Sequence, residues 1–214
     1  MPELQAARGA SLSTSEDFPE PTGTAQDGST TGPRHSSHTE VNEPSGRSAT
    51  RLVFAVGSVA LLVDVLSKRI AVRELTGREP VEVLGDFLQL RLVLNPGMAF
   101  GAGGSSLTPV ISVVAIIATL VTVYFALRVR NRSWAVGLGL LLAGVGGNLV
   151  DRMFREPGPF RGHVVDFFAL PHWPVFNVAD ICIDAAAFLF AVLLIRGVRL
   201  DGTRPAHDAR RDEE

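Results

Sequence analysis

The stretch LTPVISVVAIIATLVTVYFAL, residues 107–127, carries no charge along its whole length. A helix of about 20 such residues, rising about 1.5 Å per residue, crosses the ~30 Å hydrocarbon core of a bilayer. The segment therefore predicts a membrane span. Working outward, three further apolar segments stand out. Leu52–Ile70 is interrupted by Asp64 and Lys68, Trp134–Val150 is shorter and Gly-rich, and Pro174–Ile195 holds Asn177, Asp180 and Asp184. Backbone amides have no water partner inside a bilayer, so these segments must satisfy themselves as helices, with their polar side chains turned to protein or water. The expected architecture is an all-α membrane protein of four transmembrane helices.

Bulk composition hides this. A formal net charge of −2 and 46% hydrophobic residues would suit a soluble domain, but here the two kinds of residue are segregated. Residues 1–48 are rich in Ser, Thr, Gly, Pro and Glu and nearly devoid of aromatic and branched apolar side chains. They are expected to form a disordered cytoplasmic tail, and no apolar run near the start suggests a signal peptide. Residues 49–198 then make one four-helix membrane domain, and residues 199–214 a charged, disordered cytoplasmic tail. Cys182 is the only cysteine, so no intrachain disulfide forms and the redox compartment is left open. No internal repeat is visible.

Basic residues orient the spans. Arg128, Arg130 and Arg132 lie in the short link between spans two and three, Arg47 and Arg51 precede span one, and Arg196 and Arg199 follow span four. The positive-inside rule places these on the cytoplasmic side, against a minority signal from Lys68, Arg69, Arg73, Arg78 and Arg91. The loop Arg73–Gly104 then faces outward. Its alternation at Val81-Glu82-Val83 and Gln89-Leu90-Arg91-Leu92 predicts a small outer-side β platform, closed by the turn signal Asn95-Pro96-Gly97. Such a platform suits the pairing of an extended peptide.

An Asp near the centre of a span costs roughly 2.5–3.5 kcal/mol, yet Asp151, Asp166, Asp180 and Asp184 all lie within or beside apolar segments. Asp166 and Asp180 are the candidate catalytic pair. Pro171 and Pro174 between them let the chain turn back, and two close carboxylates share a proton, giving one base and one acid. The plainer reading has Asp166 capping a helix and Asp180 bonding within the bundle. Asn148 and Asn177 precede Asp151 and Asp180 by three residues each, a helical spacing at which an amide can orient a carboxylate or simply join helices. Asp151-Arg152 reads by default as a self-neutralising pair; alternatively Arg152 clamps a substrate carbonyl or lipid headgroup. Asp64 and Lys68 have the spacing of an ion pair. Asp184, one turn beyond Asp180, either tunes the pair or is inert. His163 and His172 flank Asp166, but two histidines fall short of a zinc ligand set, so no metal is expected. Trp173 reads as an interfacial anchor, and Gly137, Gly139, Gly144, Gly146 and Gly147 as close-packing positions. A transporter or proton channel, or a membrane scaffold, competes with the enzyme reading.

Taken in order, these strings carry a resemblance: Asp64-x-x-x-Lys68, Asn-Pro-Gly-Met-Ala-Phe (95–100), Gly-Asn-Leu-Val-Asp-Arg (147–152), Gly-His-Val-Val-Asp-Phe (162–167) and Phe-Asn-Val-Ala-Asp (176–180). The chain resembles the lipoprotein signal peptidase family, also called signal peptidase II, bacterial four-helix membrane aspartic peptidases, over about Leu52–Ile195. The resemblance implies removal of the signal peptide from diacylglyceryl-modified prolipoproteins, with the cut just before the lipidated cysteine. It implies Asp166 and Asp180 as the catalytic dyad. Asn95, Asn148, Asp151, Arg152 and Asn177 would support the site or bind substrate, with Asp64 and Lys68 a polar pair in span one. It further implies no cofactor and no nucleic acid, only membrane lipid and the prolipoprotein as partners of a monomer. The enzyme would sit in the bacterial plasma membrane with its active site toward the outer face. Met98, Ile181 and Ala186 depart from the family pattern.

Overall fold

The computed structural model describes residues 46–97 and 107–201 of the chain. The expected tails, apart from the few residues at their inner ends, lie outside the described residues, as does Met98. Seven elements follow in order: α1 (Gly46–Leu75), β1 (Val81–Leu84), β2 (Leu88–Asn95), α2 (Thr108–Ala126), α3 (Arg132–Phe154), β3 (Val164–Ala169) and α4 (Val178–Ile195). All four helices are long and apolar enough to cross a membrane.

Two spans run further than hydropathy suggests. α1 continues to Leu75 and α3 to Phe154; Lys68 within α1 and Asp151 near the end of α3 are paired inside the bundle, whereas Arg73 and Glu74 in the last turn of α1 are exposed. α3 is the hub, packing against α1, α2 and α4. Its glycines allow this: a Cβ on Gly139 would lie 2.8 Å from the Val53 carbonyl oxygen of α1, and one on Gly144 would lie 2.5 Å from the Ala179 carbonyl oxygen of α4. Pro109 occupies the first turn of α2, where its missing N–H is no loss. Asn131 starts α3 by accepting from the Ser133 and Trp134 backbone N–H groups at 2.9 and 3.2 Å. The outward faces of α1 and α2, including Val59, Leu62, Val113 and Ile117, stay exposed and apolar, as a lipid-facing surface requires.

The strands form one antiparallel sheet in the order β1-β2-β3. The two expected strands in the Arg73–Gly104 loop are present. The third, β3, comes from the segment before α4, and its register sets Val93 opposite Asp166 and Asn95 opposite Val164. Beyond β3 the chain doubles back: Phe176 N–H donates to the Phe168 carbonyl at 3.0 Å, and Phe168 N–H to the Phe176 carbonyl at 2.8 Å. That return brings the start of α4 beside β3.

Candidate active site

Asp166 points from the middle of β3 into the bundle and is 2% exposed. Asn95, at the end of β2, donates from Nδ2 to Asp166 Oδ2 at 2.9 Å. Asn177 donates from Nδ2 to Asp166 Oδ1 at 2.6 Å. Burial pushes the Asp166 carboxyl up to about 6 and the Asp180 charge adds to this, against the opposing pull of the Asn95 and Asn177 amides and of Lys68.

Asp180 sits in the first turn of α4, where it and Asn177 form a reciprocal cap. Asn177 Oδ1 accepts from the Asp180 N–H at 3.1 Å, and Asp180 Oδ2 accepts from the Asn177 N–H at 3.0 Å. Asn177 therefore touches both carboxylates at once, one through its side chain and one through its backbone. The expectation that Asp166 caps a helix is corrected: Asp166 is a strand residue, and the α4 cap is Asn177.

A second layer holds this arrangement. Asn148 of α3 donates from Nδ2 to Asp180 Oδ1 at 2.9 Å, while its Oδ1 accepts from Lys68 at 2.9 Å and from Asn177 at 3.2 Å. An ammonium can only donate, so Lys68 fixes which end of the Asn148 amide faces Asp180. Lys68 is 1% exposed, and it pairs with Asp64 at 2.9 Å and Asp151 at 3.0 Å. Asp64 in turn accepts from the Ala179 N–H at 2.9 Å, and Asp151 from the Val165 N–H at 3.3 Å. One buried cation thus ties α1 and α3 to the ends of β3 and α4.

The Asp64–Lys68 ion pair is present as expected. The default reading of Asp151-Arg152 as a mutual pair is corrected. Neighbouring residues on a helix point in different directions, and Asp151 pairs with Lys68 and Arg155 instead. Arg155 was missed by the sequence reading, although its i,i+4 spacing from Asp151 was available. Asn148 and Asp151 do share a face, but they meet through Lys68. Arg152 is turned into a cleft, with its Nη1 buried and unbonded among the described residues. Gly97 has φ +116°, a conformation favouring glycine, and a Cβ there would collide with Ile111 and lie in van der Waals contact with the Arg152 guanidinium.

That cleft, about 560 Å³, is lined by Asn95, Gly97, Arg152, Asp166, Asp180 and Asp184 together with apolar side chains such as Ile111, Leu170 and Ile181. The expected Trp173 is exposed at its rim. Among the described residues, no three His, Cys, Asp or Glu side chains group as metal ligands. The arrangement offers two carboxylates held in fixed orientations by amide donors, an arginine with donor capacity to spare, and an apolar wall.

Comparison with known proteins bears on this geometry. The family model for signal peptidase (SPase) II matches residues 56–196. The chain is similar to the lipoprotein signal peptidase of Mycolicibacterium smegmatis, 44% identical over 162 residues, covering 74% of this chain and 68% of the relative. The corresponding protein of Rhodococcus jostii is 45% identical over 153 residues, covering 72% of this chain and 77% of the relative. A bacterial membrane enzyme solved by the in meso method at 2.3 Å resolution superposes with a TM-score of 0.58 at 26% identity, covering 67% of this chain and 87% of that one.

Proposed function

The chain belongs to the signal peptidase II family, and on that premise we propose that it is a membrane aspartic endopeptidase. It removes the signal peptide from diacylglyceryl-modified prolipoproteins, cutting just before the lipidated cysteine. The observation that carries the dyad assignment is that Asp166 and Asp180 both line one cleft and are both hydrogen-bonded to the buried Asn177 behind it.

The chemistry follows from one proton shared by two carboxyls. Asp166, whose carboxyl burial pushes up to about 6, carries the proton; Asp180 is the base. A water between them gives a proton to Asp180 as its oxygen attacks the scissile carbonyl carbon. The carbonyl oxygen takes the proton from Asp166, giving a neutral tetrahedral gem-diol. Asp180 then passes its proton to the departing amine as the C–N bond breaks, Asp166 recovers a proton from the gem-diol, and the dyad is reset. Asn95, Asn148 and Asn177 hold the reactive oxygens in place, so their reorganisation cost is met on folding rather than in the transition state. Arg152 Nη1 donates to a substrate carbonyl near the cut. The platform strands and the α4 wall receive the extended peptide, and the active site opens toward the outer face.

Asp166→Asn and Asp180→Asn should each lower cleavage of a diacylglyceryl-modified prolipoprotein by roughly 10²-fold or more, since an amide is neither acid nor base here. Both variants should remain folded and membrane-inserted by thermal unfolding and membrane fractionation. Activity retained by either folded variant overturns the dyad.

A further inference from the structure

Asp184 is the one carboxylate of the cleft that the mechanism leaves unused. It lies one turn beyond Asp180 on α4 and, with Asp180 and Ile181, forms that helix's wall of the cleft. It is exposed although its helix is a membrane span. Asp64 and Asp151 are held by Lys68, and Asp166 and Asp180 by amides; Asp184 has no hydrogen-bond or ion-pair partner among the described residues. A carboxylate left in a span marks a functional position by default, provided a partner can be named.

We propose that Asp184 sets substrate specificity: its carboxylate accepts a hydrogen bond from a hydroxyl side chain, Thr or Ser, on the second residue before the cut. The proposal rests on the peptidase reading above. A carboxylate oxygen accepts hydrogen bonds, so the partner sought for it is one that donates. Within the substrate, a diacylglyceryl group has both free glycerol oxygens esterified and offers acceptors alone, which leaves the peptide as the substrate's own source of a donor. The position follows from two rises. Four residues along α4 cover about 6 Å, and an extended peptide advances about 3.3 Å per residue. With the scissile bond at Asp180, Asp184 stands about two residues away. α4 runs from the active-site end into the bilayer, and the membrane-crossing signal peptide lies on the N-terminal side of the cut, so those two residues are counted upstream.

The test measures kcat/KM of the full-length enzyme in lipid-doped detergent micelles. Its substrates are diacylglyceryl-modified prolipoprotein peptides carrying Thr or Val, which have the same shape, two residues before the cysteine bond. Wild type is expected to favour Thr by roughly ten-fold, the scale of a hydrogen bond to a charged group. Asp184→Leu should bring the ratio close to one, and Asp184→Asn, whose amide oxygen still accepts, should restore part of it. A wild-type ratio near one overturns the proposal without reference to any variant's folding. An unchanged ratio in folded Asp184→Leu does the same. Failure of wild type to cleave either peptide overturns the peptidase reading and the proposal with it, whereas cleavage of both without preference sinks the proposal alone.

Discussion

At the scale of single residues, Asn177 carries two functions that one substitution can separate. Its Oδ1 caps α4, while its Nδ2 donates to Asp166. Asn177→Ser keeps an N-cap oxygen, so α4 should lose only a few tenths of a kcal/mol of stability. The donor to Asp166 is lost, however, and hydrogen bonds to the ionised form pull a carboxyl down. Removing one should lift Asp166 above its present value of about 6. If Asp166 holds the shared proton, the alkaline limb of the pH–rate profile marks its ionisation, and in Asn177→Ser that limb should move to higher pH while kcat falls roughly ten-fold. A limb that stays in place, with only the melting temperature changed, assigns Asn177 to capping alone. Asp166 and Asp180 were legible as candidates because acids beside apolar spans are costly and therefore conspicuous. Their partners were less so. Lys68, Asn148 and Asp151 converge from α1 and α3, and no spacing along one helix reveals which residues of another helix they will meet. The one local partner that spacing did offer, Arg155, was overshadowed by the adjacent Arg152.

At the scale of elements, the four spans were readable because α2 is free of charge and the polar residues of the others are few. The helix ends were not, since α1 runs on through the exposed charges Arg73 and Glu74 and a charge-bearing last turn reads in sequence like the start of a loop. β3 was missed for a different reason. Val164, Val165, Asp166 and Phe167 are all buried, so the alternation that betrays a half-exposed strand is absent, and the stretch reads as part of a loop. The glycines of α3 were legible as a group but not individually, because which of them faces a neighbour depends on helix rotation. The structure separates them. A Cβ on Gly144 would strike the Ala179 backbone and Ile183, one on Gly147 would overlap the Asp64 carboxylate, and one on Gly146 meets nothing within 4 Å. Gly144→Ala and Gly147→Ala should each destabilise by about 1–3 kcal/mol, the usual range for overpacking. Gly147→Ala should also lower activity by displacing Asp64 from Lys68. Gly146→Ala should cleave like the parent and unfold no more easily, gaining up to about 1 kcal/mol from the helix preference of alanine, and a penalty there equal to that of Gly144→Ala would sink this account of the α3 interfaces.

At the scale of the whole membrane domain, the question is which side of the bilayer holds the cleft. The start of α1, the end of α2, the start of α3 and the end of α4 meet at one end of the bundle. Thr50 donates to the Ala126 carbonyl at 3.0 Å, Trp134 Nε1 to the Val198 carbonyl at 2.9 Å, and the Arg130 N–H to the Leu200 carbonyl at 3.2 Å. Arg47, Arg51, Arg128, Arg130, Arg132, Arg196 and Arg199 belong to these helix ends and their flanking residues, and the sheet, Asp166 and Asp180 lie at the other end. Part of the opposing charge signal dissolves on inspection, because Lys68 is buried in its ion pairs and belongs to the bundle rather than to a loop. On the positive-inside rule we propose the Arg-rich end as cytoplasmic, which sets the proposed dyad on the side where a prolipoprotein would emerge from the membrane. The chain's single cysteine makes this directly measurable. In a Cys182→Ala background, a cysteine introduced at exposed Arg161, beside the sheet, should react with a membrane-impermeant maleimide in intact spheroplasts. One introduced at exposed Arg130 should react only after the membrane is opened. The reverse pattern would turn the enzyme over in the bilayer, and with it the direction in which the signal peptide is taken to run past Asp184.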